Sequence, residues 1–135
     1  LMHMRGNPSN MMNNTDYHDV TKEICKYFSK MIEKAKNEGI NDIIIDPGFG
    51  FSKTTDQNYE LLNNLDFLNQ FQRPLLVGIS RKSMIYKILN TTPEKALNGS
   101  SVLHTISLLK GASILRTHDV KEAAECIKIV SQLKG

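Results

Sequence analysis

Residues able to do chemistry together fall in four short stretches that end the same way. In "DIIIDPGFGFSK", Asp46 follows Ile43-Ile44-Ile45 and precedes Pro47-Gly48. The apolar β-branched run reads as a strand buried on both faces, and a carboxylate at the edge of such a core is costly to place. Pro47 holds Asp46 extended, and Gly48 and Gly50 let the loop carrying Phe49 and Phe51 turn tightly. In "PLLVGISRKSMI", Gly78, Ser80 and Lys82 share strand parity, so a hydroxyl and an ammonium sit above a residue with no side chain, leaving room for a flat ligand. In "ILRTHDV", Arg116 and His118 share parity with Ile114 and point one way, with Thr117 the other. In "LMHM", Met2 and Met4 share a face that His3 does not. Singly, each has a plain explanation: a turn aspartate, core methionines, a solvated basic helix start. Four recurrences at strand tips point to one site.

Together the tips offer one carboxylate, the cations Lys82 and Arg116 with Arg81 beside them, the imidazole of His118, and walls of methionine and phenylalanine. A carboxylate accepts two parallel hydrogen bonds from an amidine-like edge, such as pterins and guanines present. Arginine binds oxyanions bidentately. The chemistry that results is recognition of a flat heterocycle carrying an anionic leaving group.

The elements that must position these residues alternate. Leu1 to Met4 ends a strand, and a polar loop follows. Val20, Ile24, Tyr27, Phe28, Met31, Ile32 and Ala35 recur at helical spacing over 20–38, stopped by Gly39. The strand 42–46 comes next. Thr55 or Asp56 caps a helix carrying Tyr59, Leu62, Leu65, Leu68 and Phe71. Pro74 opens a third strand, followed by a short helix toward Asn90. Thr92-Pro93 starts a helix reaching Lys110, and a fourth strand ends at His118. Asp119-x-x-Glu122 reads as a capping box for a last helix with Ala123, Ile127, Val130 and Leu133 on its inner stripe. The order β-α-β-α-β-α-α-β-α predicts an α/β fold with parallel strands and right-handed crossovers. Four βα units with polar tips amount to half of a (β/α)₈ TIM barrel, whose chemistry lies at that end.

Composition is that of an ordinary globular domain: 135 residues, 40% hydrophobic, 23% charged and no tryptophan. A net charge of +3 suits an anionic small ligand and is too weak to argue for nucleic acid. No apolar run approaches membrane-spanning length, and no signal peptide precedes the fold. Cys25 and Cys126 stand alone in helical patterns, so neither metal nor redox chemistry is indicated, and a reduced, cytoplasmic setting fits. The sequons at Asn13, Asn90 and Asn98 are then chance matches. The first residues lie inside a strand, which reads as a cut through a larger protein.

In order and spacing, "LMHMRGNP", "DPGFGFSK", "PLLVGISRKSMI" and "ILRTHDV" resemble the C-terminal half of dihydropteroate synthase, and the resemblance covers essentially the whole chain. It implies half of a pterin-binding TIM barrel (residues 1–135, the N-terminal half missing) of a folate-biosynthesis enzyme. That enzyme joins 6-hydroxymethyl-7,8-dihydropterin diphosphate to p-aminobenzoate, releasing diphosphate and 7,8-dihydropteroate. The implied catalytic set is Asp46, Lys82, Arg116 and His118. Met2, Asp46, Gly78, Lys82 and Arg116 would meet the pterin, and Arg116 with His118 the diphosphate. Phe51, Ser80, Lys82 and Ser83 would meet p-aminobenzoate, the pocket that sulfonamides occupy in the family. Mg²⁺ is implied as cofactor, with its ligand in the missing half and no metal residue in this chain. The resemblance also implies a homodimer through the last helices, or self-paired half-barrels, and a fragment inactive by itself. A methyltetrahydrofolate-binding domain of a corrinoid methyltransferase shares the acid at the second tip, but "SRKS" and "RTHDV" argue against it. A non-catalytic pterin- or phosphate-binding relative is the remaining alternative.

Overall fold

The computed structural model describes residues 1–134, and all absences below refer to these. Helix α1 runs Val20–Asn37, where Asp19 caps it by accepting from the Lys22 amide at 2.9 Å. Its buried stripe is Val20, Ile24, Phe28 and Ile32, every fourth residue. Helix α2 runs Thr55–Asn63, α3 Ser83–Tyr86, α4 Leu97–Leu109 and α5 Val120–Leu133. Strand β1 is Leu76–Val77 and β2 is Ile114–Leu115. They pair in parallel, Leu76 with Ile114 and Val77 with Leu115. Two single parallel bridges extend this ladder, Ile45 to Leu75 and Met2 to Asp46. Four extended segments therefore lie side by side in chain order, joined by helical crossovers: a parallel α/β arrangement.

The core lies between the helices and one face of these segments. Ile43, Ile45, Leu75, Val77 and Ile79 alternate onto that face and are at most 6% exposed. They meet Ile24 and Phe28 of α1 and Leu61, Leu65 and Leu68 from the chain after residue 55. Burying each such side chain contributes about 1.5–3 kcal/mol.

Several expectations change. Ile44 is 43% exposed, so the isoleucine run is buried on one face only. On the other face Ile44 is exposed and Asp46, Leu76 and Ile114 are half-buried. The first two strands shrink to single bridges, since short parallel segments with a bare face have few partners to hold a regular ladder. The cap of α2 is Thr54, which forms a reciprocal capping box with Gln57, and neither Thr55 nor Asp56 serves. That helix ends at Asn63-Asn64 and continues as a 3₁₀ segment, Leu65–Phe71. Asparagines favour caps over helix interiors, and Leu65 and Leu68 stay on one side of a three-residue turn as well as of an α-helix. Thr92-Pro93 starts only the 3₁₀ turn Pro93–Lys95, with α4 beginning afresh at Leu97. Asp119 makes no side-chain cap to α5 because Arg81 holds its carboxylate. On α5, Ala123 and Val130 are buried, but Ile127 is 46% and Leu133 73% exposed. The helix packs chiefly on α4, which covers a narrower stripe than expected. Both cysteines are free thiols, on α1 and α5.

Candidate functional site

Asp46 stands where its segment meets the glycine loop. One of its oxygens accepts from the Gly48 amide at 2.8 Å, a tight turn that Pro47 and the positive φ of Gly48 (74°) allow. Among the described residues its carboxylate makes no other hydrogen bond. A Cβ on Gly48 would stand 2.0 Å from the His3 carbonyl oxygen, so this loop presses directly on the first segment.

The loop's carbonyls are held by two lysines. Lys53, 2% exposed, donates to Gly48 O at 2.8 Å and Phe51 O at 2.9 Å, and lies 3.2 Å from His3 Nδ1. Burial, opposed by the charge of Asp46 and helped by that of Lys82, brings its pKa to about 7. His3, 4% exposed and edge-on to Tyr27, is brought to about 3 by burial and by the Lys53 charge. Ser52, buried with φ 53°, accepts from the Arg5 amide and pairs with the Tyr17 hydroxyl. Sequence reasoning missed Lys53, Ser52 and His3. The available signal was the parity of His3, opposite to Met2 and Met4, which sets an imidazole on the other face of its segment.

Lys82 lies on the open side. Its ammonium donates to Phe49 O and stands 4.8 Å above the Phe51 ring, with its stem crossing Gly50. Burial, and then repulsion by Arg116, lower its pKa to about 8 against the attraction of Asp46. Arg116 lies flat over Gly78, where a Cβ would stand 3.0 Å from its nearest guanidinium nitrogen. The space expected there for a ligand holds the arginine instead. Gly78, Ser80, Lys82, Arg116, Thr117 and His118 line one pocket of about 170 Å³. Ser80, 4% exposed, places its hydroxyl oxygen 2.9 Å from His118 Nδ1. Ser83 opens α3 beside Lys82, half-buried. Met2 pairs with Asp46 through the backbone and is half-buried.

Arg81, the third cation of the rim, is fully engaged. It grips Asp119 bidentately at 2.8 Å and donates to the carbonyls of Pro93 and Glu94. Its hydrogen bonds, and after them its charge, hold the Asp119 carboxyl below its ordinary range. Arg81 thereby ties the loop after β1 to the loop after β2. Among the described residues no three His, Cys, Asp or Glu side chains converge on one point.

Fold and site together define a parallel α/β protein with a cationic rim at its strand tips and one acid beside it. Residues 1–118 match the family described as "Pterin binding enzyme", and the chain belongs to that family. It is 45% identical over 132 residues to the dihydropteroate synthase of Escherichia coli (strain K12), 96% of this chain and 47% of that protein. The enzyme of the same name from Synechocystis is 43% identical over 136 residues, 98% of this chain and 47% of that one. Among solved structures, the Yersinia pestis dihydropteroate synthase in a sulfonamide drug complex superposes with a TM-score of 0.96 at 43% identity, covering 99% of this chain and 50% of that one. The Thermus thermophilus enzyme in complex with 4-aminobenzoate gives 0.95 at 34% identity, covering 100% and 56%. The chain thus spans about half the length of the curated relatives it matches. No helix is long and apolar enough to cross a membrane.

Proposed function

We propose that this chain supplies the substrate-gripping half of a dihydropteroate synthase, four βα units that form half of a (β/α)₈ barrel. The reaction transfers the 6-hydroxymethyl-7,8-dihydropterin group from its diphosphate to p-aminobenzoate, and diphosphate leaves. The observation carrying this reading is the convergence of Lys82, Arg116 and His118 on one pocket, with the Asp46 charge acting on Lys82 from beside it. Asp46 accepts from the N3–H and 2-amino group of the pterin, whose amidine edge matches a carboxylate. Lys82 turns a remaining N–H to the pterin's acceptor atoms, and Met2 packs on its face. Arg116 and His118 hold the diphosphate, while Phe51, the stem of Lys82 and Ser83 frame p-aminobenzoate. Cleavage of the C–O bond leaves a cationic exocyclic methylene, stabilised by Asp46 and the departing anion; the aniline nitrogen then attacks it and releases one proton to solvent, giving the secondary amine. Mg²⁺ would add charge to the leaving group from residues outside this chain.

A half-barrel leaves an open sheet face and two unpaired edges, and it sets Val102, Leu109, Ile127, Ile129 and Leu133 in water. Self-pairing or dimerisation through α4 and α5 would cover these residues. A cytoplasmic setting accords with two free thiols.

The test is formation of 7,8-dihydropteroate by the parent polypeptide and by residues 1–135 alone. The parent turns over, Asp46→Asn and Arg116→Ala lower its kcat/KM about a hundredfold or more, and the 135-residue chain is silent. Full rates from the chain alone would refute its being half a catalyst. Full rates in both variants would refute the assigned roles. Sedimentation of the chain tests self-pairing, which a compact monomer at low concentration would exclude.

A further inference from the structure

We infer that Ser80 is a positioning residue that fixes the neutral imidazole of His118 in the tautomer protonated at Nε2. Ser80 is 4% exposed and its hydroxyl has three neighbours. The backbone N–H of His118 donates to Ser80 Oγ at 3.2 Å. The Thr117 hydroxyl donates to it at 3.4 Å, its own oxygen accepting from the Asp119 amide at 3.0 Å. His118 Nδ1 lies 2.9 Å away. A serine hydroxyl has two lone pairs and one proton. The two donors occupy the lone pairs, and Nδ1 is the neighbour left for the proton. Nδ1 therefore accepts, and the single ring proton of a neutral imidazole must sit on Nε2. The opposite tautomer would crowd three donors onto one oxygen and leave the serine proton without an acceptor in a buried place, which is costly.

The consequence is directional. With Nδ1 turned to Ser80, Nε2 faces away from it, and His118 lines the same pocket as Arg116 and Lys82. All three then offer N–H donors to one occupant, which matches an oxyanion and no cation. The Nε2 lone pair is used by its proton, so neutral His118 acts there as a donor and not as a base. This deepens the diphosphate reading of the pocket and rests on it for the ligand alone; the tautomer follows from the hydrogen-bond count whatever the ligand is.

Long-range ¹H–¹⁵N spectra of the 135-residue chain at pH 8, above the ordinary histidine range, read the tautomer directly. The expected result is a pyridine-type Nδ1 and a protonated Nε2 for His118. Ser80→Ala should give a tautomer mixture and bind inorganic diphosphate about tenfold more weakly, while Ser80→Thr restores both. A protonated Nδ1 in the unmodified chain overturns the inference, and that spectrum decides it even if Ser80→Ala fails to fold. An unchanged tautomer in folded Ser80→Ala overturns it too. The expected tautomer with no response of His118 to diphosphate upholds the role of Ser80 and removes the diphosphate reading.

Discussion

Lys53 and Lys82 both give their ammonium groups to carbonyls of the glycine loop, Lys53 to Gly48 and Phe51, Lys82 to Phe49. The first does so in the dark of the core, with a neutral His3 as third partner. The second does so at the rim, over Phe51 and within reach of the charges of Asp46 and Arg116. A buried cation with no carboxylate bonded to it is expensive, and only backbone geometry recovers that cost. Lys53 is therefore part of the scaffold. Lys82 has donors to spare and a pocket to spend them in. One residue type thus does two jobs on one loop, and burial decides which.

The sharpest break of this comparison uses the two glycines. Gly48→Ala drives a Cβ against the His3 carbonyl, whereas Gly50→Ala meets only the flexible stem of Lys82 at 3.1 Å. Urea unfolding should show a loss of about 4 kcal/mol for the first, and about 1 kcal/mol for the second from its positive φ. Comparable losses would mean that the loop is not fastened on its buried side. Next, Lys53→Met should cost about 2 kcal/mol by orphaning buried carbonyls. Lys82→Met should cost under about 1 kcal/mol yet weaken diphosphate binding about tenfold, measured by calorimetry.

A pH series sharpens the contrast. Below pH 7 Lys53 is charged in both folded and unfolded chains, so its burial penalty is fully present. Between about 7 and its unfolded value of 10.5 only the unfolded chain keeps the proton, so stability rises with pH by at most about 1.4 kcal/mol per unit. Lys82 adds its share only above about 8. Lys53→Met should abolish the rise between 7 and 8 and leave only the share of Lys82 above 8. His3 makes the same kind of contribution lower down, with stability rising from pH 3 toward 6.5. The smallest effect is expected for Phe51→Leu, a change within about 0.5 kcal/mol in stability, with weaker p-aminobenzoate binding as its visible trace.

The rim was legible in sequence because strand parity is a two-residue rule, and Asp46, Lys82, Arg116 and His118 each end an apolar run. Lys53 was not. It follows a glycine loop and looks solvated, and what buries it is an imidazole fifty residues earlier that no local pattern announces. The same blindness produced the wrong cap at Asp119: the capping-box spacing was present, but Arg81, 38 positions away, competes better for the carboxylate. Ile44 failed for a different reason. A run of isoleucines states that a strand can be covered on both faces, not that both covers are present.

Arg116 resting on Gly78 has one further implication. A long side chain ordinarily surrenders much rotational freedom when it seizes a partner. Here the glycine lets the guanidinium settle on bare peptide before any partner arrives, so the capture of an anion begins with a hand already still. Adding a methyl group at that one backbone position would set it swinging.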